Sequence, residues 1–253
     1  MAKIEYKELL DAGVHFGHLK SKWNPKMAQY IFMEKNDIHI IDLNKTIACL
    51  EDATNAVKSI VKSGRKILFV ATKKQAKEFV ATEAERLKMP FVTERWLGGM
   101  LTNFSTVRKS LKKMSTIDRL VKEEAYANIN KKERLMMSRE REKLQKVLGG
   151  IADQTRLPAA LFIVDIKKEH IAVAEAHRLG IPVIGMVDTN SDPGLIDFPI
   201  PANDDAYKSI SIIVGQISKA IEEGLMERKM EKETSNDKED VSEEVAETVS
   251  ANE

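Results

Sequence analysis

Four short apolar runs, residues 66–71 (KILFVA), 91–93 (FVT), 159–164 (AALFIV) and 182–187 (PVIGMV), alternate with stretches whose apolar residues recur at helical spacing. Ile47, Leu50, Thr54, Val57, Ile60 and Val61 keep that spacing, as do Ala76, Val80, Ala84 and Leu87, and then Ile171, Ala174 and Leu179. Short runs rich in branched and aromatic side chains, bounded by Gly, Pro or polar residues, read as strands buried on both faces. Strands alternating with helices imply right-handed crossovers, and therefore an α/β fold with a mainly parallel sheet covered by helices on both sides. Ahead of these, residues 30–32 and 38–41 flank Glu34-Lys-Asn-Asp37 and read as an edge hairpin.

One segment breaks the alternation. From Thr102 to Leu148 there is no strand candidate, while Val107, Leu111, Met114, Ile117 and Val121 make one apolar stripe and Leu135, Leu144 and Leu148 suggest a second. With Asn128-Ile-Asn130 as the turn between them, the segment reads as an antiparallel helical hairpin standing out from the α/β body. It holds 13 basic against six acidic residues, a net +7, so most of the body's excess positive charge is on this protrusion. Residues 1–230 sum to +8, whereas residues 231–253 sum to −7 and contain no aromatic residue. The expected organisation is a discontinuous α/β domain over 1–101 and 149–226, a coiled-coil hairpin over 102–148, and a disordered acidic tail over 227–253. A basic body suggests a polyanionic partner.

Function classes narrow next. No apolar run approaches a membrane span, and the charged start MAKIEYKELLDAG lacks the apolar core of a signal peptide, so a cytoplasmic protein is expected. The single cysteine, Cys49, forms no internal disulfide and reads as a core residue. After the strand ending at Ala71 the chain continues Thr72-Lys-Lys-Gln-Ala76 with no glycine, and neither G-x-G-x-x-G nor G-x-x-x-x-G-K-[ST] occurs. The tight turn and close backbone approach that a pyrophosphate needs are therefore missing. Gly98-Gly99 leads into the hairpin and not into a crossover helix. No serine or cysteine nucleophile has a local signature beside a base, so no catalytic residue is assigned.

Asp188, Asp192, Asp197, Asp204 and Asp205 gather five carboxylates near one end of the sheet, and two readings stay open. They form local turns and a helix cap around Asn203 to Asp205, or they hold a hard cation such as magnesium through oxygen ligands, with Asp188, Asp204 and Asp205 the candidate metal ligands. No other cofactor and no small-molecule substrate is expected. Basic residues interleaved with aromatics are better represented: residues 15–26 (HFGHLKSKWNPK) combine two histidines, three lysines, Phe16 and Trp23, and Arg95-Trp96 repeats the pairing. Such groups meet phosphates and stack on unpaired bases, although both tryptophans also suit burial under loops.

Several motifs in order closely resemble the family of the second protein of the bacterial small ribosomal subunit, which archaea and eukaryotes share: Gly13-Val-His-Phe-Gly-His18, Trp23-Asn-Pro-Lys-Met27, His39-Ile-Ile-Asp-Leu43, Ile67-Leu-Phe-Val-Ala-Thr-Lys73, Arg95-Trp-Leu-Gly-Gly-Met-Leu-Thr-Asn103 and Val187-Asp-Thr-Asn-Ser-Asp-Pro193. Pro158-Ala-Ala-Leu-Phe-Ile-Val-Asp165, Glu175 and Gly180-Ile-Pro182 continue the match, which runs from about Tyr6 to Gly224. The resemblance implies a flavodoxin-like (Rossmann-like) domain with a coiled-coil hairpin and no catalytic activity. It implies a place on small-subunit ribosomal RNA between head and body, where the protein helps to dock the large messenger-binding protein. Carried onto this sequence, the implied RNA contacts are His15, His18, Lys20, Lys22, Trp23, Asn24 and Lys26, then Lys73 and Lys74, then Arg95, Gly98, Gly99 and Asn103, and, on the hairpin, Arg108, Lys109, Lys112 and Lys113. Trp96 and Leu97 are expected to anchor the hairpin root. A nucleotide-dependent enzyme and a protein-only adaptor are the competing readings.

Overall fold

The structure, a computed structural model, describes residues 4–122 and 130–250; the side chains of residues 122 and 232–250 and all of residues 123–129 lie outside what is described. In chain order the elements are α1 (Tyr6–Asp11), β1 (Phe16–Leu19), β2 (Ile31–Lys35), β3 (Ile38–Ile41), α2 (Leu43–Lys62), β4 (Ile67–Val70), α3 (Lys77–Arg86), β5 (Phe91–Val92), α4 (Phe104–Lys122), α5 (Lys131–Leu148), β6 (Ala160–Val164), α6 (His170–Arg178), β7 (Val183–Val187), β8 (Phe198–Pro201) and α7 (Tyr207–Ser250). Five strands form a parallel sheet ordered β5-β4-β6-β7-β8. Counted along the chain this is the 2-1-3-4-5 order of flavodoxin-like sheets. β8 escapes a reading by apolar runs because its sequence, FPIP, carries two prolines; an edge strand tolerates them since its outer backbone needs no ladder partner.

Burial on both faces follows from strand alternation. Ile67, Phe69, Phe162, Ile184 and Met186 point to one face, where α1, α2, α3 and α7 supply Leu9, Val57, Val80 and Ile213. Leu68, Val70, Leu161, Ile163, Val183 and Val187 point to the other, under Met27, Trp96, Met100, α6 and the root of the α4–α5 pair. Leu111 and Met114 of α4 and Leu148 of α5 belong to this second core, and Asp118 of α4 pairs with Arg141 of α5. The two helices thus run antiparallel from a buried base. Asn130 caps α5 through its side chain, while Asn128 and Ile129 of the expected turn lie outside the described residues.

A second, antiparallel sheet is ordered β1-β3-β2, and its β1 docks on the loop after β7. The expected hairpin appears as β2–β3, turning through Asn36 and Asp37, both with positive φ, as a two-residue turn between right-twisted strands requires. β1 adds a third strand within the basic first loop. Two further expectations change. Cys49 is half-buried on α2 and not a core residue. The tail expected to be disordered from 227 continues as helix in α7 to Ser250. After Gly224 no Gly or Pro interrupts the helix, and its first turns pair with α2: Glu227 with Lys58, Glu231 with Lys62 at 2.6 Å.

Gly150, just beyond α5, lies so close to β5 that an added Cβ would stand 2.3 Å from the Phe91 carbonyl oxygen. Gly98 has nothing within 4 Å of the same position. Gly150→Ala is expected to destabilise the protein by about 1–3 kcal/mol, and Gly98→Ala by no more than about 0.5 kcal/mol. Thermal unfolding followed by circular dichroism separates the two; equal midpoints would contradict the packing of the hairpin base.

Candidate nucleic-acid interface

The chain leaves the sheet for the hairpin through residues 93–103, and one carboxylate holds that path in place. Glu175 sits on α6 among Ala172, Val173 and Ala176 and is buried. Its Oε1 accepts from the Trp96 indole (3.1 Å) and the Gly99 amide (2.7 Å); its Oε2 accepts from the Leu101 amide (3.0 Å) and from both the amide and hydroxyl of Thr102 (3.1 Å each). Burial alone would raise its pKa, but the amides of Thr102, Gly99 and Leu101 and the Trp96 indole hold it below the ordinary carboxylate value. Gly99 has φ +89, a backbone conformation that favours glycine, within the bend whose Gly99, Leu101 and Thr102 amides converge on the carboxylate.

At the carboxyl edge of the sheet, where an α/β enzyme keeps its ligand, the chain's own charges converge. Lys73, after β4, lies 2.7 Å from Asp204 and from Asp205 and 3.4 Å from Asp165. Burial lowers its pKa, yet the three carboxylates, Asp204 foremost, raise it overall. Thr72 donates to Glu169, and Lys168 donates to the Thr72 carbonyl at 2.9 Å. His18 reaches in from β1 to Asp188 at 3.0 Å and Asp205 at 3.4 Å. The hydrogen bond that the imidazole donates to Asp188 holds it above its ordinary pKa against burial. Asp204 is pushed up to about 7, by burial first and then by the Asp188 and Asp165 carboxylates. The β4/β6 crevice is therefore filled from within.

The predicted contact residues separate into two groups. Lys22, Lys74, Arg95, Arg108, Lys109 and Lys112 are exposed, with no carboxylate partner among the described residues. Trp23 and Asn103 are also exposed, and Trp23 leans on the His39 ring at 5.0 Å between centroids. Lys20 pairs with Glu34, Lys26 with Asp192 at 2.6 Å, and Lys113 with Glu140. His15, His18, Asn24, Lys73 and Gly99 are half-buried. Asn24 caps the following turn and its amide binds the Thr189 carbonyl, tying the first loop to the loop after β7. Elements carrying the first loop, the glycine turn and the hairpin root all cover the same face of the sheet.

Three details differ from the sequence reading. Leu97 is 39% exposed, so Trp96 alone is the buried anchor of the hairpin root. The five carboxylates do not share one site: Asp197 accepts from the Val183 amide at the amino end of β7, and Asp192 faces Lys26. Among the described residues, the group able to hold a cation is His18, Asp188 and Asp204, a set with a nitrogen donor. Glu175, which the sequence marks only as part of the family match, is the residue whose role the structure supplies; its signal is a carboxylate in the apolar stripe of a short helix. A cleft of about 680 Å³ lined by Lys66, Glu85, Lys88 and Lys146 opens at the amino edge, opposite the usual ligand side.

The sheet is filled at its ligand edge and, among the described residues, unpaired basic groups sit on the elements that cover one face; comparisons with known proteins identify its class. The profile of the family described as Ribosomal protein S2 matches residues 9–224. The chain is 72% identical over 226 residues to small ribosomal subunit protein uS2 of Cytophaga hutchinsonii, spanning 89% of each chain. It is 61% identical over 228 residues to the uS2 proteins of Porphyromonas gingivalis and of Bacteroides thetaiotaomicron, covering 90% of this chain and 81% and 82% of theirs. This is a structural component of the small subunit of the cytoplasmic ribosome and not an enzyme. The chain belongs to the ribosomal protein S2 family. Among the described residues no helix is long and apolar enough to cross a membrane.

Glu175→Ala leaves five donors without their acceptor and is expected to lower stability by about 3 kcal/mol or more; Glu175→Gln, which keeps one acceptor oxygen, loses less. Because the folded carboxyl pKa lies below its ordinary 4.5, its stabilisation is fully present above that value and is lost as pH falls through the folded value. Urea unfolding of wild type and Glu175→Gln should therefore converge at acid pH, and a constant gap would contradict the charge argument.

Proposed function

We propose that the chain is anchored on small-subunit ribosomal RNA between head and body by its basic hairpin and first loop, and that it helps to dock the large messenger-binding protein. In this reading the α/β domain, residues 1–101 and 149–226, is the platform, and residues 102–148 form a coiled coil that projects along the RNA. The observation that carries it is the contrast in charge pairing. Lys58, Lys62 and Arg86 on the α2, α3 and α7 side are each matched by glutamates. Lys22, Arg95, Arg108, Lys109 and Lys112, on elements covering the opposite face, have no carboxylate partner among the described residues.

Unpaired cations that repel one another across a surface are stabilised when phosphates lie against them. The half-exposed Trp23 supplies a ring for an unpaired base, whereas the buried Trp96 is structural. Lys73, held by three carboxylates, contributes shape and not a phosphate contact. For the protein partner, the edge strand β2 offers Phe32, 70% exposed, beside open backbone groups.

The test is sedimentation with small subunits depleted of this protein, across a salt series, using wild type and Arg108→Glu/Lys109→Glu/Lys112→Glu. Wild type is expected to bind stoichiometrically with an affinity that falls with salt. The variant should bind more weakly and lower the log–log salt slope by about 2–3, near 0.7–0.9 per lost phosphate contact. A variant that binds with the wild-type slope removes the hairpin from the interface; wild type that stays free at low salt removes the RNA reading.

A further inference from the structure

We propose that His18, Asp188 and Asp204 form a binding site for one divalent transition-metal cation of the zinc class, which staples β1 to the carboxyl edge of the parallel sheet. The three side chains come from separate segments: β1, the loop after β7, and the loop after β8. One donor atom from each lies within 4.8 Å of the others, close enough for small side-chain rotations to bring all three onto one ion with bonds near 2.0–2.2 Å. A second observation points to an ion. Asp204 is 1% exposed at its side chain, and its Oδ2 has no hydrogen-bond partner although its Oδ1 binds Lys73 at 2.7 Å.

A buried carboxylate oxygen with no partner is uncommon, because leaving it unsatisfied is expensive. Charge points the same way. Asp165, Asp188, Asp204 and Asp205 face Lys73 and the single imidazole of His18, so negative charge remains in excess even when the imidazole is protonated. A divalent cation offsets that excess. Lys73, on the far oxygen of Asp204, then acts as the partner that orients a ligating carboxylate, and Asp205, 55% exposed and 3.4 Å from His18, offers an oxygen at the rim.

The donor set distinguishes the metal. Magnesium and calcium favour sites built wholly of oxygen, while imidazole mixed with carboxylates suits zinc and its neighbours. Bound there, the ion would fix the first loop relative to the loops after β7 and β8, so that Lys22 and Trp23 are presented from a rigid base.

The full-length protein, stripped with a chelator and dialysed, is titrated with Zn²⁺ in a background of excess Mg²⁺. About one Zn²⁺ per chain should remain after gel filtration by elemental analysis, and the thermal midpoint should rise by about 5 °C when free Zn²⁺ stands a hundredfold above its dissociation constant. His18→Ala and Asp204→Asn should each lose the metal, while His177→Ala keeps it. As a check that needs no variant, the imidazole nitrogen resonances of wild type are followed during the titration; those of His18 should shift and those of the other four histidines should not. Absent retention of Zn²⁺, unmoved His18 resonances, or an equal response to Mg²⁺ alone would each overturn the proposal.

Discussion

A parallel sheet has two apolar faces, and keeping water off both organises the rest of this molecule. β4, β6 and β7 are buried from end to end, so helices or loops must cover each side completely. On one side four helices do so, and their outer surfaces balance lysine and arginine against glutamate. On the other, α6 is the one crossover helix among the described residues apart from the α4–α5 pair. The remaining area is covered by the turn around Met27, by Trp96 and Met100, and by the base of the α4–α5 pair. The elements richest in unpaired positive charge are thus also the ones that complete the core, which couples the basic surface to folding.

Such cover brings polar backbone into a dry region, and each group must find a partner. Glu175 solves this for the entry to the hairpin, collecting three backbone amides, an indole and a hydroxyl on two oxygens. The hairpin therefore leaves the body at a fixed position. A similar economy rules the carboxyl edge, where Lys73, Glu169 and the aspartates meet in place of a nucleotide. The strand order is that of flavodoxin-like enzymes, yet the site that order would host is closed. Fold and chemistry are separable, and here the loops decided the chemistry.

Much of this was legible in the linear chain, for a local reason. Strand and helix periodicity depend on residues within a few positions of each other, so β4, β5, β6, β7 and the hairpin helices could be read directly, as could the concentration of charge on residues 102–148. β8 was hidden by its prolines and β1 by its resemblance to a basic loop. The helix past residue 226 was hidden by composition, and the pairing of Glu227 and Glu231 with the lysines of α2 joins positions far apart in sequence, which no local pattern reveals.

The sequence by itself determined the fold class, the interruption by a basic hairpin, the absence of a phosphate-binding turn and the family. Only the tertiary structure decided which charged residues face outward. Lys73 and Lys74 are neighbours in sequence, but one is enclosed by carboxylates and the other is open to solvent. Asp197 and Asp204 are seven positions apart and lie at opposite ends of the sheet. His18 meets Thr189 across 171 positions because β1 docks on the loop after β7. Those partnerships depend on strand order and crossover path, quantities set by how the whole core packs, and no window along the chain contains them.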